Sequence, residues 1–156
     1  MKRILSLFLL CLMLVGCSKA PTQHDISLDQ LMLTLPGVFV AHTGNDLEAD
    51  FAYSNDKVYI HGFREEKQEI LQYYDSLSLE SYVRMLAESF DPMLDAQITN
   101  EIWNYTYTAE LDGEDYTFLC AFYETEESFW RVQASCPTTE FAENQQILWE
   151  YISAAA

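Results

Sequence analysis

Three histidines and four cysteines are the side chains best suited to nucleophilic or metal chemistry, so their spacing comes first. A serine or cysteine nucleophile needs a histidine beside it and an acid to orient the ring. His24 falls in a polar stretch too loose to hold a base, and His42 stands near the turn-forming pair Gly44-Asn45. His61 alternates with Tyr59 and Phe63, as on a strand. No Gly-x-Ser-x-Gly elbow frames a serine. Carboxylates are abundant, but Glu65-Glu66, Glu114-Asp115 and Glu126-Glu127 are adjacent pairs. Strand neighbours point to opposite faces, so adjacency does not converge two acids. The chain therefore reads as non-enzymatic.

Metal patterns are sparse. His-x-x-x-His, Cys-x-x-Cys and the Asp-rich calcium loop are missing from the sequence. Asp46, Glu48 and Asp50 alternate, and an extended backbone would aim all three one way as a weak calcium site. The five glycines are too scattered to form a phosphate loop, and no cofactor is expected. Aromatics are the richer resource, with three tryptophans and ten tyrosines. Trp103, Tyr105 and Tyr107 alternate with Asn104, Thr106 and Thr108, which puts three rings on one strand face. Exposed, that face would stack on a sugar or anchor a partner; under a helix, it is core.

The remaining chemistry lies at the N-terminus. Lys2 and Arg3 precede a 12-residue apolar run, Ile4 to Val15, followed by Gly16 and Cys17. That order is the layout of an export signal. The run is well short of the roughly 20 residues needed to span a bilayer. Leu14-Val15-Gly16-Cys17 resembles the lipobox of bacterial lipoprotein precursors. The resemblance implies that residues 1–16 are a signal peptide and that Cys17 becomes a diacylglyceryl-bearing first residue. The expected location is the extracytoplasmic face of a bacterial membrane, held there by lipid. Acyl chains contribute about 0.8 kcal/mol per buried methylene, enough for stable anchoring when more than one is attached.

Residues 17–25, polar and carrying Pro21, read as a tether, and residues 26–156 as one domain. The domain is apolar enough to fold. It is also strongly acidic: 25 acidic residues face 8 basic ones, and two of the eight are Lys2 and Arg3. Such a charge repels nucleic acid and anionic lipid and suits a basic envelope protein as partner.

The elements that must position these residues follow from the patterning. Leu28 to Leu35 reads as a strand ending at Pro36-Gly37. Leu47 to Tyr53 and Lys57 to Glu65 flank the turn Ser54-Asn55-Asp56. Leu79, Tyr82, Val83, Leu86, Ala87 and Phe90 recur at helical spacing behind the N-cap Ser78. A three-strand meander follows: Thr99 to Leu111, Tyr116 to Glu124 and Phe129 to Cys136, with Asp112-Gly113 as its strongest turn. A helix over Thr139 to Ile152 closes the chain. The middle strand is apolar on both faces, which makes it central and covered on both sides. Pairing Phe122 with Val132 would make Cys120 and Cys136 diagonal neighbours on one face. That separation strains a disulfide, so two buried free thiols are expected. The fold class is α+β, an antiparallel sheet with helices packed on it.

Several stretches carry a further resemblance: Leu33-Thr34-Leu35-Pro36, Gly62-Phe63-Arg64-Glu65, and Ser78-Leu79-Glu80-Ser81-Tyr82. Tyr105-Thr106-Tyr107 and Phe129-Trp130-Arg131-Val132-Gln133-Ala134-Ser135-Cys136-Pro137 extend it. Together they resemble small lipoproteins of Gram-positive bacteria with a PsbP-like α/β/α sandwich. The resemblance implies a non-enzymatic accessory or binding domain. The alternative is a small-molecule, cation or glycan binding module built on the Trp103 strand face.

Overall fold

The computed structural model describes residues 23–43, 48–74, 76–91 and 93–155. Cys17 and the segment before it lie outside the described residues. The described residues open with a hairpin, β1 (His24–Leu28) and β2 (Leu31–Leu35). This corrects the single strand expected over Leu28 to Leu35. The chain reverses at Asp29, whose φ of 57° is left-handed, a conformation that Asp tolerates better than most residues. It also corrects the tether, because His24 and Asp25 pair with Leu35 and Thr34. His24 is held by a 2.7 Å hydrogen bond between its Nε2 and the Phe39 carbonyl.

Seven further strands form one sheet. They are β3 (Val40–Ala41), β4 (Phe51–Ser54), β5 (Tyr59–Glu66), β6 (Gln97–Thr99), β7 (Ile102–Leu111), β8 (Glu114–Glu124) and β9 (Ser128–Pro137). Their order is β3-β4-β5-β9-β8-β7-β6, antiparallel throughout. The doubly apolar strand β8 lies between β7 and β9, as its two faces required. Among the described residues three helices complete the domain: a single turn α1 (Lys67–Ile70), α2 (Leu79–Phe90) and α3 (Thr138–Ile152). Ser78 caps α2, its Oγ accepting from the Ser81 amide at 3.2 Å.

The two faces of the sheet carry separate cores. On one, Ile60, Leu119, Ala121, Val132 and Ala134 pack beneath α3, through Leu148 and Ile152, and beneath the β1–β2 hairpin, through Leu28, Leu33 and Leu35. On the other, Tyr105, Cys120, Phe122 and Phe129 pack beneath α2, through Tyr82, Val83 and Ala87. Tyr82 stacks on Phe129 with ring centroids 4.5 Å apart and meets Phe122 edge-on at 6.2 Å. The result is the expected α+β sandwich, with the sheet as its middle layer.

The β8–β9 register differs by one residue from the expected one. Ala121, not Phe122, pairs with Val132. The turn sets it: the Thr125 amide donates to the Ser128 carbonyl at 3.0 Å, and the Ser128 amide donates to Thr125 Oγ1 at 3.0 Å. A one-residue slip exchanges faces. Cys120 therefore lies under α2 and Cys136 under α3, so the sheet itself separates the two thiols. Both are free and buried, as expected, but the cause is opposite faces rather than a strained diagonal.

Candidate binding cleft

Helix α2 shields only part of its face of the sheet. It ends at Phe90, whose ring stacks on Tyr107 with centroids 4.8 Å apart. Beyond that point the sheet is open, and a cleft of about 1320 Å³ lies on it. Three rows of the strand register build the floor. Phe63 pairs with Arg131, His61 with Gln133, and Tyr59 with Ser135, which continues across to Phe118 and Tyr107. All of these side chains line the cleft.

The floor is polar in an unusual place. Gln133 and Ser135 are buried on a strand flanked by β5 and β8, where apolar residues are the norm. Gln133 Oε1 accepts from the Tyr107 hydroxyl at 3.5 Å and from the Cys120 thiol at 3.9 Å. His61 Nδ1 is buried without a hydrogen-bond partner, and the buried Tyr105 hydroxyl lies beneath the floor against Arg131. Burial, and then the charge of His42, keep the His61 ring below its ordinary pKa, so it sits in the fold as a neutral imidazole. Burial also raises Tyr105 and Tyr107 well above the usual phenol range, against the pull of Arg131. The Cys120 thiol is pushed up to about 12 by burial and stays protonated, so it is no nucleophile.

Arg131 stands apart. Its guanidinium lies over the Phe63 ring at 4.3 Å and over the Phe90 ring at 5.5 Å. Lys57, Arg64, Lys67 and Arg84 each reach a carboxylate. Among the described residues, Arg131 is the basic side chain without one.

The residues singled out from sequence fall differently. Trp103, Tyr105 and Tyr107 do share a face, and it is the inner one. Tyr105 is buried, Trp103 is half-buried beneath the Arg84 guanidinium at 5.3 Å, and Tyr107 alone of the three lines the cleft. Asp46 lies outside the described residues. Glu48 has a left-handed φ of 55°, so the extended alternation needed for a calcium site is broken there. Asp50 instead accepts the Arg64 amide at 2.7 Å. His42 and His61 both line the cleft, and His42 Nε2 lies 2.5 Å from Ser54 Oγ. That pair has the spacing of a base and a nucleophile, yet it is exposed, and no carboxylate among the described residues bonds the His42 ring. The rim acids Asp112 and Glu114 sit at the β7–β8 turn, six to seven residues along the sheet from the row of Tyr105 and His61. At about 3.3 Å per residue that is roughly 20 Å, too far to orient either imidazole.

The chain matches no family model and no curated protein. Solved structures give a clearer answer. The chain is similar to cyanobacterial PsbP (CyanoP) from Synechocystis sp. PCC 6803, with a TM-score of 0.54 at 9% identity over 90% of this chain and 95% of that one. The fold is PsbP-like. A similar overlap is found with the Ran-binding protein Mog1p of Saccharomyces cerevisiae, at TM-score 0.51 and 10% identity over 80% of this chain and 82% of that one. A protein from Bacteroides thetaiotaomicron VPI-5482 also resembles the PsbP-like domain. Its TM-score is 0.51 at 10% identity, over 76% of this chain and 42% of that longer chain.

Proposed function

We propose that this protein is a lipid-anchored, extracytoplasmic and non-catalytic binding domain that serves another component of the cell envelope. The observation that carries the binding role is the open cleft, which leaves buried hydrogen-bonding groups on the sheet facing a space large enough for a ligand. The anchor rests on Lys2, Arg3, the apolar run and the Leu14-Val15-Gly16-Cys17 resemblance. The non-catalytic reading is supported by the protonated Cys120 thiol and by cleft histidines without an orienting carboxylate. Mog1p, a distant fold neighbour, is itself described as a binding protein.

The aromatic lining of the cleft favours a second reading, in which the ligand is a small molecule rather than a protein surface. Two experiments test the proposal. Cys17→Ser should release the protein from the membrane fraction; a variant that stays fully membrane-bound would remove the lipid anchor. Cross-linking in intact cells, followed by pull-down through a C-terminal tag, should recover one dominant envelope protein. An empty pull-down would shift the reading to the small-molecule module.

A further inference from the structure

We propose that the cleft binds a carboxylate joined to a ring-bearing apolar body, with the carboxylate paired to Arg131. This rests on the binding-domain reading and names the class of ligand.

Arg131 is the starting point. In a chain with 25 acidic residues, a half-buried guanidinium that lines a cleft and meets no carboxylate is conspicuous. Its cross-strand neighbours, Phe63 and Phe122, are both neutral and apolar. The guanidinium carbon lies over the Phe63 ring at 4.3 Å and over the Phe90 ring at 5.5 Å, so apolar contacts hold the group in place. Ring contacts use none of its five N–H donors and the Tyr105 hydroxyl engages one side of it, so the rest of the fork stays available for a carboxylate, which matches it with two parallel hydrogen bonds.

The surroundings narrow the anion. Arg131 is the one arginine or lysine among the residues lining the cleft, and Asp91, Asp112 and Glu114 also line it. One positive charge neutralises a monoanion but not a phosphate dianion, and the acids repel polyanions. The space beyond Arg131 is walled by Tyr107, Phe118 and Tyr59, which suits an aromatic or apolar body. His61 Nδ1, buried and without a partner in the next row of the floor, adds an unused polar atom near that body. A volume of about 1320 Å³ admits either a free acid or the carboxyl end of a short peptide, two sources of the same chemistry.

The test is calorimetric titration of the detergent-purified full chain with phenylacetate and its neutral analogue phenylacetamide. A glycyl-glycyl-phenylalanine peptide, free or amidated at its carboxyl end, distinguishes the two sources. Each acid should bind at least about tenfold more tightly than its amide, the usual scale for a charge-assisted pair. Arg131→Gln should erase that preference, and Arg131→Lys should weaken binding while keeping some of it. The lysine variant guards against a loss caused by misfolding, with thermal midpoints measured for both. Equal binding of acid and amide, an undiminished preference in Arg131→Gln, or no saturable binding to about 10 mM would overturn the carboxylate site. If that happens while Arg131→Gln still cross-links the same envelope partner in cells, the carboxylate proposal fails and the binding-domain reading stands.

Discussion

The indole Nε1 of Trp130 donates to Asp29 Oδ2 across 3.0 Å, joining two residues 101 positions apart. The same oxygen accepts from the Thr125 hydroxyl at 2.9 Å, and Arg64 Nε lies 3.1 Å from the other oxygen. One carboxylate in the β1–β2 turn thus ties the hairpin to β9, to the β8–β9 turn and to β5. Burial alone would raise the Asp29 pKa. The bonds from Trp130, Thr125 and Ser128, with the charge of Arg64, outweigh it and hold the carboxyl below its ordinary value.

Asp29→Ala should therefore destabilise the fold by about 1–3 kcal/mol, since it strands the buried Trp130 indole N–H, while the Thr125 hydroxyl keeps its bond to the Ser128 carbonyl. Urea unfolding measures this, and a loss below about 0.5 kcal/mol would show that water replaces the carboxylate at no cost. The folded pKa lies below the unfolded value of about 3.9, so this stability is present above that pH and is lost as pH falls through the folded value. Asp29→Asn should accordingly flatten the acid limb of the stability profile below about pH 4.

Gly62 faces Phe51 across β4 and β5, and a Cβ there would lie 1.9 Å from the Phe51 ring. That ring is backed by Trp130, with centroids 6.2 Å apart. Gly62→Ala should cost about 1–3 kcal/mol in a denaturant titration, the usual penalty for overpacking. Gly62→Ala in a Phe51→Ala background should show no comparable cost.

The β6–β7 turn places Asn100 and Glu101 at left-handed φ values of 50° and 67°. Two such residues are what a two-residue hairpin loop demands, and Asp112-Gly113 meets the same demand at the next turn. Glu101→Gly should raise stability by about 1 kcal/mol, because a glutamate pays for that conformation and a glycine does not. An unchanged or lowered thermal midpoint would contradict it.

His61 predicts a second pH dependence with the same sign. Above about pH 6.5 the ring is neutral in folded and unfolded chains alike. As pH falls below that, the unfolded chain takes up a proton that the folded chain refuses, and stability declines until the folded value is passed. His61→Gln should remove this decline between pH 6.5 and the lower folded value, read as a flatter thermal-midpoint profile. A profile identical to wild type would mean that the ring charges freely in the cleft.

The sheet and its two helical covers were legible in sequence because periodicity carries them. Leu79 to Phe90 repeats at helical spacing, Asp112-Gly113 marks its turn, and β8 is apolar on both faces. The β1–β2 reversal was hidden because Asp29-Gln30 lacks the glycine that announces a two-residue turn, and Asn100-Glu101 at the β6–β7 turn lacks that glycine too. The cleft was hidden by register. Arg131, Gln133 and Ser135 alternate with Trp130, Val132 and Ala134, so β9 has one polar face, a signal that stood in the sequence. Reading it required knowing that this face abuts Cys120 and His61, and a one-residue slip in the pairing sent it to the other side of the sheet.

The seven-stranded sheet ends in β3 and β6, which are two and three residues long. Unpaired amides and carbonyls along a long outer strand invite another chain to add itself, and borders this short offer almost nothing to template upon. The long strands β8 and β9 are enclosed between neighbours, but β6 pairs with β7 only at Ile102 to Asn104, so the backbone of Tyr105 to Leu111 is where a crowded second copy has an outer strand to zip onto.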